Sequence, residues 1–160
     1  MKKILSLLFL VTLIAGCGND ESKTFNFTVK DYESRVKDAL NQMDNGLSVQ
    51  SSEENEEGRQ VLTLSDDVFI FVDKKGDKPT TISLGATSNA ALTDDIYQVF
   101  TLLIGTVDDT LSFGERSQVV DKLGLRENNL LDYTKVIDHN DIRYTYQGTK
   151  DNIILQAEPR

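Results

Sequence analysis

Few residues of this chain are of a type that performs chemistry. His139 is the single histidine, and it lies between Asp138 and Asp141. This group offers at most a weak metal site, because zinc sites commonly combine several His and Cys ligands. The same spacing is typical of a plain turn, which we favour. We also disfavour His139 as the base of a Ser-His-Asp set with Ser88 or Ser112, because the sequence has no Gly-x-Ser-x-Gly motif.

Paired carboxylates are the second chemistry to consider, because a glycoside hydrolase needs only two acids at the right separation. Asp66-Asp67, Asp94-Asp95 and Asp108-Asp109 all lie at the ends of predicted elements. Turns and helix dipoles explain acidic residues at such places without catalysis. Glycine-rich nucleotide-binding motifs are absent from the sequence. We therefore predict no catalytic residue, no metal and no cofactor, and we expect the protein not to be an enzyme.

Two groups of residues are candidates for a partner-binding surface. The first is the set of four glutamates in the acidic run at residues 53–58, namely Glu53, Glu54, Glu56 and Glu57. We expect a solvated loop there, because each buried carboxylate would lose several kcal/mol of hydration, and a cationic partner could dock on it. The second group is Tyr144 and Tyr146, which alternate on one face of a predicted strand. Exposed tyrosines suit sugar or protein contact, but we favour the alternative that they pack beneath the helices.

The N-terminus has the parts of a secretory signal peptide. Two lysines precede an apolar run at residues 4–14, and two small residues follow it. The run is shorter than the roughly 20 residues that span a bilayer. Ile14-Ala15-Gly16-Cys17 resembles the lipobox of bacterial lipoproteins. An ordinary secreted product would instead leave Cys17, the only cysteine, as an unpaired thiol.

The lipobox resemblance implies where the protein resides. It implies that diacylglycerol is attached to Cys17 and that the preceding peptide is removed, leaving a lipoprotein anchored in the bilayer of the cell envelope. Several acyl chains on one residue hold a protein more firmly than a single chain does. In Gram-negative lipoproteins an aspartate after the cysteine retains the protein in the inner membrane, so Gly18 implies the outer membrane. In a Gram-positive cell the resemblance implies the extracellular face of the plasma membrane.

The sequence divides into three parts with different roles. We predict a signal peptide at residues 1–16, a lipidated cysteine with a polar tether at 17–26, and a single domain at 27–160. The signal peptide takes two of the 17 basic residues and none of the 26 acidic ones, so the net charge changes from −9 to −11. An acidic chain is not expected to bind nucleic acid. Its surface is also not expected to dock on anionic lipid, which leaves membrane contact to the acyl chains.

The first predicted element of the domain is a helix. Thr28 and Asp31 have the spacing of a capping box, and Phe27 and Tyr32 that of a hydrophobic staple. Asn45-Gly46 predicts its end. Hydrophobicity of period two then predicts four strands, near residues 47–51, 59–64, 68–73 and 80–85.

The third of these strands is apolar on both faces. Phe69 and Phe71 share one face, and Val68, Ile70 and Val72 share the other. This pattern predicts a central strand that is covered on both sides. A loop at residues 73–79 makes the third and fourth strands a hairpin, and we expect the proline of that loop to lie just outside the fourth strand.

The second half of the domain is predicted to contain two helices and then three strands. An apolar stripe runs through residues 89–107, with the cap at Thr93 or at the aspartates that follow it. Ser112 and Glu115 form a second capping box, and Gly124 marks the end of that helix. The strands are expected at residues 133–138, 142–147 and 153–158.

Together these elements predict an α+β fold in the order α-β-β-β-β-α-α-β-β-β. We expect a mostly antiparallel sheet covered on one face by about three helices. The function that we favour is a non-enzymatic, protein-binding or accessory lipoprotein with a partner in the cell envelope. A small-ligand or glycan-binding lipoprotein is the first alternative, and it requires a deep apolar pocket between sheet and helices. A carboxylate-based envelope hydrolase is the second, and it requires two facing buried acids.

Overall fold

The computed structural model describes residues 23–43, 46–91, 95–126 and 129–160 and shows an α+β fold. The predicted signal peptide, the lipobox and Cys17 lie outside the described residues, as do Asn45, Thr93 and Asp94. Phe25 is already buried. The folded part therefore includes the last residues of the segment predicted as a tether.

A seven-stranded antiparallel sheet forms one layer, as the sequence predicted. Its spatial order is β1-β2-β3-β4-β7-β6-β5, so two meanders meet where β4 pairs with β7 and Leu84 lies opposite Leu155. The strands are β1 (Ser51–Glu54), β2 (Gln60–Thr63), β3 (Val68–Lys75), β4 (Lys78–Thr87), β5 (Thr134–His139), β6 (Ile142–Gly148) and β7 (Asn152–Pro159).

The described residues form four helices, where about three were predicted. They are α1 (Val29–Gln42), α2 (Ser88–Ala91), α3 (Ile96–Val107) and α4 (Phe113–Lys122). Two of these, α2 and α3, lie where a single helix was predicted across residues 89–107. Ser88 N donates a hydrogen bond to Asp151 O at 2.9 Å and holds the start of α2 against the turn before β7. The chain starts α3 only after Asp95.

Both predicted capping boxes are confirmed. At α1, Thr28 N donates to the Asp31 carboxylate at 3.0 Å, and Asp31 N donates to Thr28 Oγ1 at 3.1 Å. At α4, Ser112 N donates to the Glu115 carboxylate at 2.8 Å, and Glu115 N donates back to Ser112 Oγ. These bonds favour the ionised carboxylates, so the pKa of Asp31 and that of Glu115 lie below their usual values.

The start of the fold is fixed to the turn between β3 and β4. Phe25 N donates to Pro79 O and Val29 N donates to Asp77 O, both at 2.8 Å. The ring of Phe27 stacks on that of Phe25 at 5.1 Å between centroids. The predicted staple is confirmed, because the Phe27 ring also stacks on buried Tyr32 at 5.9 Å.

The strand boundaries differ from the prediction, most of all at β1 and β4. The first strand spans Ser51–Glu54 rather than residues 47–51, and it includes two glutamates that we assigned to a loop. An edge strand has one neighbour and leaves its side chains in water, so it tolerates these charges. Pro79 lies inside β4, where a proline is accepted because β4 pairs with β7 only from Ile82 onward.

The core lies between the helices and one face of the sheet only. Ile70 and Val72 of β3 are buried in it. Phe69 and Phe71 point to the opposite face, are half-buried and do not belong to the core. The predicted cover on both sides of β3 is therefore wrong. The guanidinium of Arg59, 5.8 Å from the Phe71 ring centre, covers that ring instead.

The segment before β5 packs against the end of β6. Tyr146 Oη donates to Leu130 O at 2.7 Å, and Gly148 N donates to Tyr133 O at 2.7 Å. A Cβ atom at position 148 would lie only 1.7 Å from Leu130 O. The close approach of the two backbones therefore requires glycine at this position.

Candidate binding groove

The predicted acidic surface lies at one edge of the sheet. Glu53 and Glu54 belong to β1, whereas Glu56 and Glu57 lie in the loop to β2, and all four are exposed. Glu54 forms an ion pair with Lys74 of β3. The run is therefore accessible to a partner, but it lies apart from the groove described below.

The two tyrosines of β6 are core residues. Tyr144 and Tyr146 both have 0% exposure, so the alternative that we favoured, packing beneath the helices, is confirmed, and their possible role as partner-binding residues is corrected. Both point towards the helices, where the Tyr146 ring meets the edge of Phe100 at 5.7 Å between centroids. Within the described residues the Tyr144 hydroxyl has no hydrogen-bond partner. Burial raises the pKa of both hydroxyls well above their usual range.

His139 lies at the end of β5, close to a cation. Its Nδ1 is 3.3 Å from Nζ of Lys122. A positive charge at this distance opposes the binding of a metal ion to that nitrogen. No three or more His, Cys, Asp or Glu side chains of the described part of the chain are placed to hold a metal.

An open groove of about 710 Å³ combines an apolar floor with charged walls. It runs over α3, between α1 and α4. All of its lining residues come from these helices or from the segments next to them, and none comes from a strand. The groove therefore lies on the helices and not between the helices and the sheet.

One stripe of α3 forms the floor of the groove. Thr101, Leu102 and Gly105 recur at three- and four-residue steps and so lie on one side of the helix. The Thr101 hydroxyl donates to Tyr97 O at 2.7 Å. Because that hydroxyl bonds within its own helix, the floor is mainly apolar. Ala39 of α1 adds further apolar surface at its side.

Three arginines line the groove, and two of them are held by carboxylates. Arg35 contacts Asp109 at 3.0 Å and donates to Thr106 O at 3.4 Å. Arg126 contacts Asp121 at 3.1 Å, and its other terminal nitrogen donates to a serine hydroxyl. These two guanidinium groups therefore have partners within the chain.

Arg116 is the third arginine, and its surroundings differ. Its Nε donates to Leu111 O at 2.9 Å. The guanidinium lies on the backbone of α3 at Gly105, where a Cβ atom would be 2.5 Å from its Cζ and Nη1. The side chain is half-buried, and no carboxylate of the described residues forms an ion pair with it.

Phe113 adds a large apolar group to the groove. It is the first residue of α4 and is 77% exposed, the highest value among the large hydrophobic side chains described. An aromatic ring that is exposed beside an apolar floor is typical of contact surfaces in proteins.

Sequence reasoning did not find this groove. Phe113 directly follows the cap Ser112, and its side chain faces outward rather than towards the core. Gly105 interrupts the apolar stripe of α3, and this interruption was the available signal. The contact of Gly105 with Arg116 depends on how α3 packs against α4, which no local pattern reports.

Comparisons with known proteins identify no relative. No protein-family model matches the chain, and searches among curated proteins and among solved structures found no match. Within the part of the chain that the structure describes, no helix has both the length and the apolar character needed to cross a bilayer.

Proposed function

We propose that this protein is a lipoprotein of the cell envelope that binds a partner protein through the groove over α3 and catalyses no reaction. The observation that carries the binding role is the composition of the groove. An apolar floor, the exposed ring of Phe113 and three arginines lie together in a chain whose net charge is −9. Grooves between helices accept amphipathic helices of partner proteins, which place their apolar face on such a floor.

The membrane anchor of this proposal comes from the sequence. Ile14-Ala15-Gly16-Cys17 resembles a lipobox, and acylated Cys17 would hold the protein on the bilayer. The partner would then be another protein of the envelope. The location is the outer membrane in a Gram-negative cell and the extracellular face of the plasma membrane in a Gram-positive cell.

A protein partner fits the groove better than an enclosed small ligand does. Small-molecule sites usually bury at least 70% of their ligand, whereas this groove is open along the helices. The space between helices and sheet is packed with buried side chains such as Phe100, Ile70 and Tyr146. No Asp or Glu among the described residues is buried, so no pair of buried acids supports a hydrolase.

Site-specific photocrosslinking in living cells tests the binding role. A photoreactive phenylalanine at position 113 should capture one envelope protein at high yield, because that side chain lines the groove. The matched control is position 136, since Val136 on edge strand β5 is the other exposed large hydrophobic residue described, at 51%. Equal capture at both positions, or capture at neither, would contradict the proposal.

A further inference from the structure

We infer that the groove selects a partner helix bearing a carboxylate beside its apolar side chains, and that Arg116 is the residue that recognises this carboxylate. The inference rests on the proposed function and adds the chemistry of the partner. Arg116, Gly105 and Phe113 together carry it.

The Arg116 guanidinium is held in place but keeps donors to offer. Its Nε bond to Leu111 O fixes one edge of the group, and the backbone at Gly105 supports its flat face. Neither Nη atom donates a hydrogen bond to any described residue. A guanidinium presents a planar fork that matches the two oxygens of a carboxylate. Arg116 is therefore oriented for such a contact before a partner arrives.

The lack of a carboxylate at Arg116 contrasts with the composition of the chain. The sequence has 26 acidic residues, and the other two arginines of the groove each pair with one. The acid next in sequence, Glu115, has its carboxylate bonded to Ser112 in the capping box of α4. A half-buried charge without a partner is unfavourable, so a carboxylate supplied from outside gains more here than at an exposed arginine.

The apolar residues near Arg116 indicate that the partner helix also carries apolar side chains. Leu102, Ala39 and the exposed ring of Phe113 lie along the same groove as Arg116. An amphipathic helix places residues three and four positions apart on one side. Such a helix can set apolar side chains on this floor while an Asp or Glu one turn away reaches the guanidinium.

Gly105→Ala changes the position of the Arg116 guanidinium without changing its charge. The new methyl group would displace the guanidinium, which is the end of a flexible side chain, and every charge would remain. The fold should be kept, because alanine is the better helix former. Arg116→Gln removes the charge itself. Gly114→Ala on exposed α4 and Arg143→Gln on the sheet are the matched controls, since neither residue lines the groove.

The experiment uses the full chain, purified from membranes in non-ionic detergent, and a display library of random peptides about four helical turns long. Selected peptides are resynthesised with each Asp or Glu changed to Asn or Gln. Affinities of both peptide forms are then measured against the wild type and the four variants. Thermal unfolding of each variant establishes that it is folded.

We expect selected peptides to carry an acidic residue one turn from apolar ones. Changing that carboxylate to an amide should weaken binding to the wild type by at least about tenfold, as for other close charge pairs. Arg116→Gln and Gly105→Ala should each weaken binding of the acidic peptide by a similar factor. These two variants should bind the amide form of the peptide no more weakly than they bind the acidic form. Gly114→Ala and Arg143→Gln should bind as the wild type does.

Two results would overturn the inference, and they differ in what they leave standing. One further variant, Phe113→Ala, tells whether a selected peptide binds in the groove. Peptides that bind this variant more weakly but lack an acidic residue, or whose acid shows no coupling to Arg116, would remove the carboxylate recognition and leave the proposed function. A folded protein that selects no peptide would remove both.

Discussion

Single hydroxyl groups in the core of this protein differ sharply in their surroundings. Tyr144 and Tyr146 are neighbours on one face of β6 and are equally buried. Tyr146 donates to Leu130 O, whereas the Tyr144 hydroxyl has no partner among the described residues. A buried hydroxyl without a hydrogen bond lowers stability, because it loses its contacts with water.

The two tyrosines therefore provide a matched pair of substitutions. Tyr146→Phe should lower the free energy of unfolding by about 1–2 kcal/mol, because it leaves the buried Leu130 carbonyl without its donor. Tyr144→Phe should change it by less than about 0.5 kcal/mol or raise it. Urea unfolding measures both values, and equal losses in the two variants would contradict the assignment.

The glycines of this chain also differ in the space that surrounds them. At position 148 an added Cβ would overlap the Leu130 backbone, whereas at position 114 it would meet nothing within 4 Å. Gly148→Ala should cost at least about 3 kcal/mol, because neither backbone can move aside easily. Gly114→Ala should raise stability by about 0.5 kcal/mol through helix propensity. Thermal unfolding distinguishes the two, and a mild effect at position 148 would show that the segments separate readily.

The first turns of two helices are sensitive to acid. Asp31 in α1 and Glu115 in α4 are the acidic members of the capping boxes, and hydrogen bonds from the cap residues Thr28 and Ser112 lower the pKa of both carboxyls. A group whose pKa is lower in the folded state stabilises the fold above its usual pKa, which is 3.8 for Asp31 and 4.5 for Glu115. This stabilisation is lost as the pH falls through the folded-state values.

Asp31→Asn and Glu115→Gln should therefore reduce the loss of stability that occurs as the pH falls. We expect each variant to have a lower melting temperature than the wild type at pH 7. We also expect the melting temperature of each variant to fall less than that of the wild type when the pH is lowered. Melting temperatures measured from neutral pH to below pH 4 give this comparison. Glu57→Gln in the exposed loop after β1 is the control, and it should follow the wild-type profile. If the melting temperatures of the variants fall as much as that of the wild type on acidification, the two capping boxes are not the source of the acid sensitivity.

Local sequence signals predicted most elements but not their assembly. The capping pairs Thr28–Asp31 and Ser112–Glu115 were read correctly, because each is complete within four residues. Phe69 and Phe71 were misread, because alternation shows that two faces are apolar but not which face the helices cover. The contact between Gly105 and Arg116 was missed because it joins two separate helices, and a local sequence pattern does not report such a contact.

At the scale of the whole molecule, charge is distributed unevenly. The chain carries a net charge of −9, and yet the charged residues that line the groove are three arginines and two aspartates. The acidic surface elsewhere would repel a carboxylate of a partner, whereas Arg116 in this groove offers it a guanidinium that forms no ion pair with any described residue. Such an arrangement favours correct orientation during encounter and becomes weaker as salt is added.

The proposed membrane anchor is also a property of the whole molecule. Palmitate supplied to growing cells should label the wild-type protein, and Cys17→Ser should abolish the label and release the protein from membranes. Glu57→Gln, which leaves the lipobox unchanged, should be labelled normally. Labelling that persists in Cys17→Ser would refute the lipoprotein assignment.

The attachment of Phe25 and Val29 to the β3–β4 turn has a mechanical consequence. Tension that reaches the domain through its N-terminal side is borne first by the two hydrogen bonds to Pro79 and Asp77 and by the stacked rings behind them. It then enters the sheet at the turn between β3 and β4. Farther from this turn both strands have a second neighbour, because β3 pairs with β2 up to Val72 and β4 pairs with β7 from Ile82. A pulled edge strand can unzip one bond at a time, whereas a load applied to the middle of the sheet is shared by the strands on either side.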